Sequence, residues 1–93
     1  MANNRVIRKK MADRLVRMGQ KALNRNLKNL EGDEMEAELR KMFTKDFEDT
    51  KKIAKLIRAN RVDAAWKATV DMDTGARDEM SGSVYDWLRN ETY

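Results

Sequence analysis

The chain has 93 residues, of which 39% are charged, and it contains no cysteine, histidine or proline. Without cysteine there are no disulfides or zinc fingers, and without histidine the commonest general base and metal ligand are missing. No apolar run approaches the roughly 20 residues that a membrane-spanning helix needs, and no secretory signal pattern is present. We therefore predict one non-enzymatic domain over residues 1–93, in the cytoplasm, with no cofactor and no membrane partner.

Apolar residues recur at helical spacing, which predicts an all-α fold, a small helical bundle of four to five helices. The longest predicted helix covers residues 4–30 and is strongly basic. Its predicted inward face is formed by Ile7, Met11, Leu15, Met18 and Ala22. Cations repeat with the same rhythm beside that face and form what we call the basic stripe. The stripe consists of Lys10, Arg14, Arg17, Lys21, Arg25 and Lys28.

The length of this first helix raises a question about its surroundings. A continuous helix over residues 4–30 would be about 40 Å long, whereas a compact chain of this size spans roughly 25–30 Å. The helix could break at Gly19, because glycine costs about 1 kcal/mol in a helix interior. Otherwise it protrudes or is covered by another chain. We predict a homodimer through this helix, since Val16, Leu23, Leu27 and Leu30 form a second apolar face.

Later boundaries are predicted from turn and cap residues. Gly32 should end the first helix, and Asp33 with Glu36 should begin a second that runs to residue 47 or 48. Thr50 should cap the next helix. That helix either ends near Asn60, with Asp63 capping another, or continues to residue 72. The predicted inward positions are Met35, Leu39, Met42, Phe43, Phe47, Ile53, Leu56 and Ile57, followed by Val62, Trp66 and Val70.

Charge is distributed in blocks. Residues 1–31 contain nine Lys or Arg against two acidic residues, and residues 51–70 contain six against one. Two interpretations follow. Oppositely charged helices could simply lie side by side with solvated faces, or the two basic segments could share one cationic surface. In the second interpretation Lys51, Lys55 and Arg58 join the basic stripe.

The leading functional hypothesis is a nucleic-acid-associated accessory protein that contacts phosphates through these nine cations. Sequence reading is not predicted, because no aromatic side chain stands among the cations and the helix-turn-helix pattern fails at Leu15, Arg25 and Lys28. The alternative is a protein–protein adaptor that docks an acidic or apolar partner through the first helix or through Val84, Trp87 and Leu88. Those three residues could equally lock the chain end onto its own bundle.

Two further patterns carry less information. Residues 71–75 resemble part of a calcium loop, but the glycine falls at position five and Gly82 occupies position twelve, where a glutamate is needed. A capped turn is therefore predicted there, and catalysis by its carboxylates is not. The short, charged, methionine-rich composition resembles that of small phage-encoded accessory proteins.

Overall fold

The computed structural model describes residues 5–72 and 82–92, and these form four α-helices without any strand. Helix α1 spans Arg5–Asn29, α2 spans Glu36–Arg58, α3 spans Val62–Asp71 and α4 spans Gly82–Thr92. The prediction of a small all-α bundle with a long basic N-terminal helix is confirmed. The predicted turn at residues 73–75 lies outside the described residues.

Helices α1 and α2 form an antiparallel hairpin. Asp13, in the first half of α1, pairs with Arg58 at the end of α2, and Gly19 lies next to Thr50 in the middle of both helices. The molecule measures 49 × 21 × 19 Å. A helix of 25 residues, about 37 Å long, fits along the longest dimension. The expected conflict between helix length and domain size does not arise, because the chain is elongated and α2 packs beside α1.

Gly19 lies inside α1 and does not interrupt it. A Cβ atom at this position would lie 3.1 Å from Cγ2 of Thr50 and 3.2 Å from Cδ1 of Phe47. Both distances are shorter than ordinary van der Waals contact between carbon atoms. The missing side chain therefore lets α2 approach α1 closely, and the hypothesis of a break at Gly19 is wrong.

Replacing Gly19 with valine should lower the free energy of unfolding by about 1–3 kcal/mol, the usual cost of overpacking. The small difference in helix propensity between glycine and valine does not offset it. Gln20→Val is the matched control, because Gln20 is exposed on the same turn. Urea unfolding measures both variants. Equal stability of the two would contradict close packing of α1 against α2 at Gly19.

The connection between α1 and α2 follows the predicted signals in part. Gly32 has a φ of 84°, in the left-handed region that glycine adopts without strain. The side chain of Asp33 accepts a hydrogen bond from the backbone N–H of Met35 at 2.8 Å. Gly32 thus lies after the end of α1, as predicted. The capping box is absent, because Met35 is the N-cap of α2 and no side chain caps it.

Helix α2 continues through the position at which a new helix was predicted to begin. Thr50 is buried within α2, and its hydroxyl donates to the backbone carbonyl of Asp46 at 2.9 Å. The preceding turn thus satisfies this hydroxyl, and the predicted cap at Thr50 is wrong.

After α2 ends, Asn60 has a φ of 60°, a conformation that asparagine tolerates better than most residues. The helix is therefore interrupted between Arg58 and Val62, as one of the two alternatives predicted. The N-cap of α3 is Arg61, however, and Asp63 lies inside its first turn, so the predicted cap at Asp63 is wrong.

The core lies where α3 and α4 pack across the hairpin. It consists of Ala12, Leu15, Ile53, Ala54, Ile57, Ala65, Met72, Val84 and Leu88. The predicted inward positions of Leu15, Ile53 and Ile57 are confirmed. Met18, Met35 and Met42 are 39%, 53% and 43% exposed, so their predicted inward positions are wrong. Helical spacing is correct for these methionines, but no helix in the described part of the chain covers them.

Helix α3 contributes a half-buried tryptophan to the edge of the core. Trp66 packs against the core cluster, and its ring centroid lies 5.4 Å from that of Tyr85 on α4. The fully buried α3 residues are Ala65 and Thr69. Val70 is 47% exposed, so its predicted inward position is wrong. The buried face of α3 is therefore rotated by one residue from the predicted one.

Helix α4 closes the bundle with the apolar face that the sequence suggested. Val84 and Leu88 are completely buried in the core, and Trp87 packs against it. These side chains lock the terminal helix onto the chain's own bundle. A partner could reach Val84 and Leu88 only by displacing α4, which contradicts their use as an exposed docking anchor.

Candidate nucleic-acid interface

The basic stripe lies on the side of α1 that faces away from the core. All six of its cations are exposed, while the buried residues of α1 are Ala12, Leu15 and Ala22. Steps of three and four residues keep the cations on one side of the helix. The helix contains nine Lys or Arg and a single acidic residue, Asp13. The charged side chains on the outward face of α1 are therefore almost all cations.

Most stripe charges are not neutralised by any described residue. Within residues 5–72 and 82–92, no ion pair involves Lys10, Arg14, Arg17, Lys21 or Lys28. Some cations on α2 are paired instead: Arg40 pairs with Glu36 at 3.4 Å, and Lys45 pairs with Asp49 at 3.0 Å. A hydrogen bond to Asp49, together with its negative charge, raises the pKa of Lys45 above its usual value. The stripe, in contrast, is available to an external anion.

A groove of about 710 Å³ lies between the first half of α1 and the end of α2, and we call it the cationic groove. Its lining consists of Val6, Lys9, Lys10, Asp13, Val16, Arg17 and Arg58. Two stripe residues, Lys10 and Arg17, thus share one concavity with Arg58 of the second basic segment. Asp13 is the only carboxylate among the described residues of this lining, and it forms an ion pair with Arg58.

The other two α2 cations lie along the same helix edge. Lys51 pairs with Glu48 at 2.8 Å, and its Nζ lies 5.0 Å from the centroid of the Phe47 ring. Because Phe47 packs beside Gly19, this edge of α2 faces α1. Lys55 is exposed, four residues from Lys51 and three from Arg58, so the three share one face. Glu48 neutralises part of that face, which is therefore less cationic than the stripe.

Sequence reasoning missed several members of the cationic groove. Lys9 falls outside the three- and four-residue spacing of the stripe. Val16 was predicted only as part of the second apolar face, and Val6 belongs to no predicted pattern. Asp13 could have been recognised from the sequence, because it is the one acidic residue in a helix that contains nine cations. Its pairing with Arg58 follows from an antiparallel hairpin, which the apolar pattern alone does not specify.

The variant Asp13→Asn should bind a polyanion about three- to tenfold more tightly at low salt, because the change releases Arg58 for one more phosphate contact. The loss of an exposed ion pair should cost the fold less than about 1 kcal/mol. Asp86→Asn on α4 is the control, since Asp86 is exposed and the charge change is identical. Anisotropy titrations with a labelled oligonucleotide compare them. The same gain in both variants would show that only net charge matters.

The described residues were also searched for metal sites and for membrane-spanning helices. No cluster of three or more potential metal ligands occurs in residues 5–72 and 82–92, and the calcium-like segment extends beyond them. None of the four helices combines the length and the apolar character that crossing a membrane requires.

No family model matches the chain, and neither a curated protein sequence nor a solved structure matches it. The fold and the surface together define a class, a helical bundle with one long, exposed cationic helix face. The function must therefore be argued from that face and from the cationic groove.

Proposed function

We propose that this is a non-enzymatic accessory protein that binds nucleic acid through its phosphate backbone. The observation that supports this is the basic stripe, six exposed cations on one helix face of which five take part in no described ion pair. Such a face releases condensed counterions when it meets a polyanion, which favours binding. The chain contains no cysteine, which is compatible with a reducing cytoplasm. We propose that the protein acts there.

The dimensions of the stripe suit a nucleic-acid backbone. From Lys10 to Lys28 the helix rises about 27 Å, the length of roughly eight base pairs at 3.4 Å each. Helix α1 contains no aromatic residue that could stack on bases. Binding should therefore be directed to phosphates and have low sequence specificity. Of the three α2 cations, Arg58 lines the cationic groove and extends this surface onto α2.

The salt dependence of oligonucleotide binding tests this proposal. If the six stripe cations contact phosphates, the logarithm of the binding constant should fall with the logarithm of salt concentration with a slope of about −4 to −5. Fluorescence anisotropy with a labelled oligonucleotide of arbitrary sequence measures this slope. Failure to bind at low ionic strength would contradict the proposal and leave the adaptor hypothesis as the better one.

The exposed methionines favour a second candidate, a protein–protein adaptor. Met18, Met35 and Met42 are each more than a third exposed, on the hairpin that α1 and α2 form. Methionine side chains adapt to irregular partner surfaces. Met18 lies on the flank of α1 that the sequence had suggested for docking. Capture of a partner that is lost when Met18 is changed to serine, but kept when the stripe is reversed, would support this candidate.

We also propose a homodimer through α1, with the exposed Met18 at its contact. A dimer would present the basic stripe twice and strengthen binding to one polyanion through linkage of two sites. The length of α1 no longer argues for it, because α2 runs beside α1. Light scattering at micromolar concentration measures the mass, and a strictly monomeric mass would contradict the dimer.

A further inference from the structure

The cationic groove has an apolar component that phosphate binding alone does not use. Val6 is 74% exposed, the most exposed of the large apolar side chains described, and Val16 is half-buried. Both line the groove together with Lys9, Lys10, Arg17 and the ion pair of Asp13 with Arg58. A ligand that fills this concavity must therefore present negative charge and apolar surface side by side.

This combination distinguishes two forms of nucleic acid. A duplex presents a dense array of phosphates on its outside while its bases are stacked and paired within. An unpaired nucleotide presents a phosphate and the exposed face of a base or sugar next to each other. The convex stripe can follow either backbone, but the cationic groove offers apolar contact only to the unpaired form.

We propose that the cationic groove binds unpaired nucleotides, so that the protein prefers single-stranded nucleic acid to duplex. This inference rests on the proposed function and specifies its substrate. The volume of about 710 Å³ lies within the range of roughly 300–1,000 Å³ that small-molecule sites occupy. Lys9, Lys10 and Arg17 hold the phosphates, and Val6 and Val16 contact the base or sugar. Because aliphatic contact is weaker than aromatic stacking, the preference is modest, about fivefold.

The test compares one oligonucleotide of about 20 nucleotides, longer than the stripe, as a non-self-pairing single strand and as its duplex. The wild-type chain binds the single strand about fivefold more tightly at equal salt, and Val6→Ser removes this preference by weakening only single-strand binding. Lys10→Gln weakens binding to both forms. Val70→Ser is the matched control, because Val70 is exposed on α3, away from the groove, and this variant changes neither affinity.

The possible failures are distinguishable. Equal affinity for the two forms, or a preference that Val6→Ser leaves intact, overturns the assignment of the groove while salt-dependent binding still supports the proposed function. Absence of binding to both forms at low salt overturns the proposed function itself. Tighter binding to polyglutamate than to either oligonucleotide overturns the nucleotide assignment in favour of an acidic protein ligand.

Discussion

The charge-reversal variant Arg14→Glu, Arg17→Glu, Lys21→Glu is expected to bind oligonucleotide more than about 100-fold more weakly at low salt, with its helical content retained. Three phosphate contacts are replaced by three repulsive charges in the middle of the stripe. The fold should be little affected, because these side chains are exposed and take part in no ion pair among the described residues. Anisotropy gives the affinity and circular dichroism gives the helical content.

The matched control reverses three exposed cations that lie off the stripe, on α2 and α3: Lys41→Glu, Lys52→Glu, Lys67→Glu. Both triple variants lower the formal net charge by six, from +4 to −2. The control should keep most of the binding. If it loses as much affinity as the stripe variant, net charge and not the position of the stripe determines binding. If the stripe variant unfolds, its cations stabilise the fold and their functional interpretation fails.

Truncating Trp66 to alanine should lower the free energy of unfolding by about 3 kcal/mol. The indole packs against the core cluster and lies 5.4 Å from the Tyr85 ring, so its loss leaves a cavity between α3 and α4. For a small domain this is a large share of the usual stability of about 5–15 kcal/mol. Urea or thermal unfolding followed by circular dichroism measures the change.

Val70→Ala is the control on the same helix, four residues from Trp66. Because Val70 is 47% exposed, its truncation should change the free energy of unfolding by no more than about 0.5 kcal/mol. An unchanged unfolding midpoint in Trp66→Ala would mean that the indole adds nothing to the packing of α3 on α4. Trp66 would then become a candidate docking residue.

The helices could be predicted because helical periodicity is a local property of the sequence. Leu15, Ile53 and Ile57 repeat at the right spacing and lie in the core as expected. The helix boundaries were harder to predict. Threonine is a common cap, but the pairing of α2 with α1 keeps Thr50 within a longer helix. Helix propensity alone favours a break at Gly19, whereas the neighbours that explain this glycine, Thr50 and Phe47, are distant in sequence.

The candidate site also has one part that depends on local sequence and another that depends on contacts between distant residues. The basic stripe belongs to one helix, so its spacing could be read directly. The cationic groove depends on two helices, since Asp13 and Arg58 are 45 positions apart and meet only in the antiparallel hairpin. Periodicity also cannot show whether another element covers a face. For this reason Met18, Met35 and Met42 were expected inside although they are exposed.

The most direct measurement is an amide chemical-shift titration of the labelled full chain with single-stranded oligonucleotide at low salt. The largest shifts should fall on the stripe turns of α1 from Lys10 to Lys28 and on α2 near Arg58, where the cationic groove ends. They should diminish together as salt is raised, because phosphate contacts depend on counterion release. Shifts concentrated around Met35 and Met42, or on α3 and α4, with the stripe unchanged, would contradict binding through the cationic face of α1.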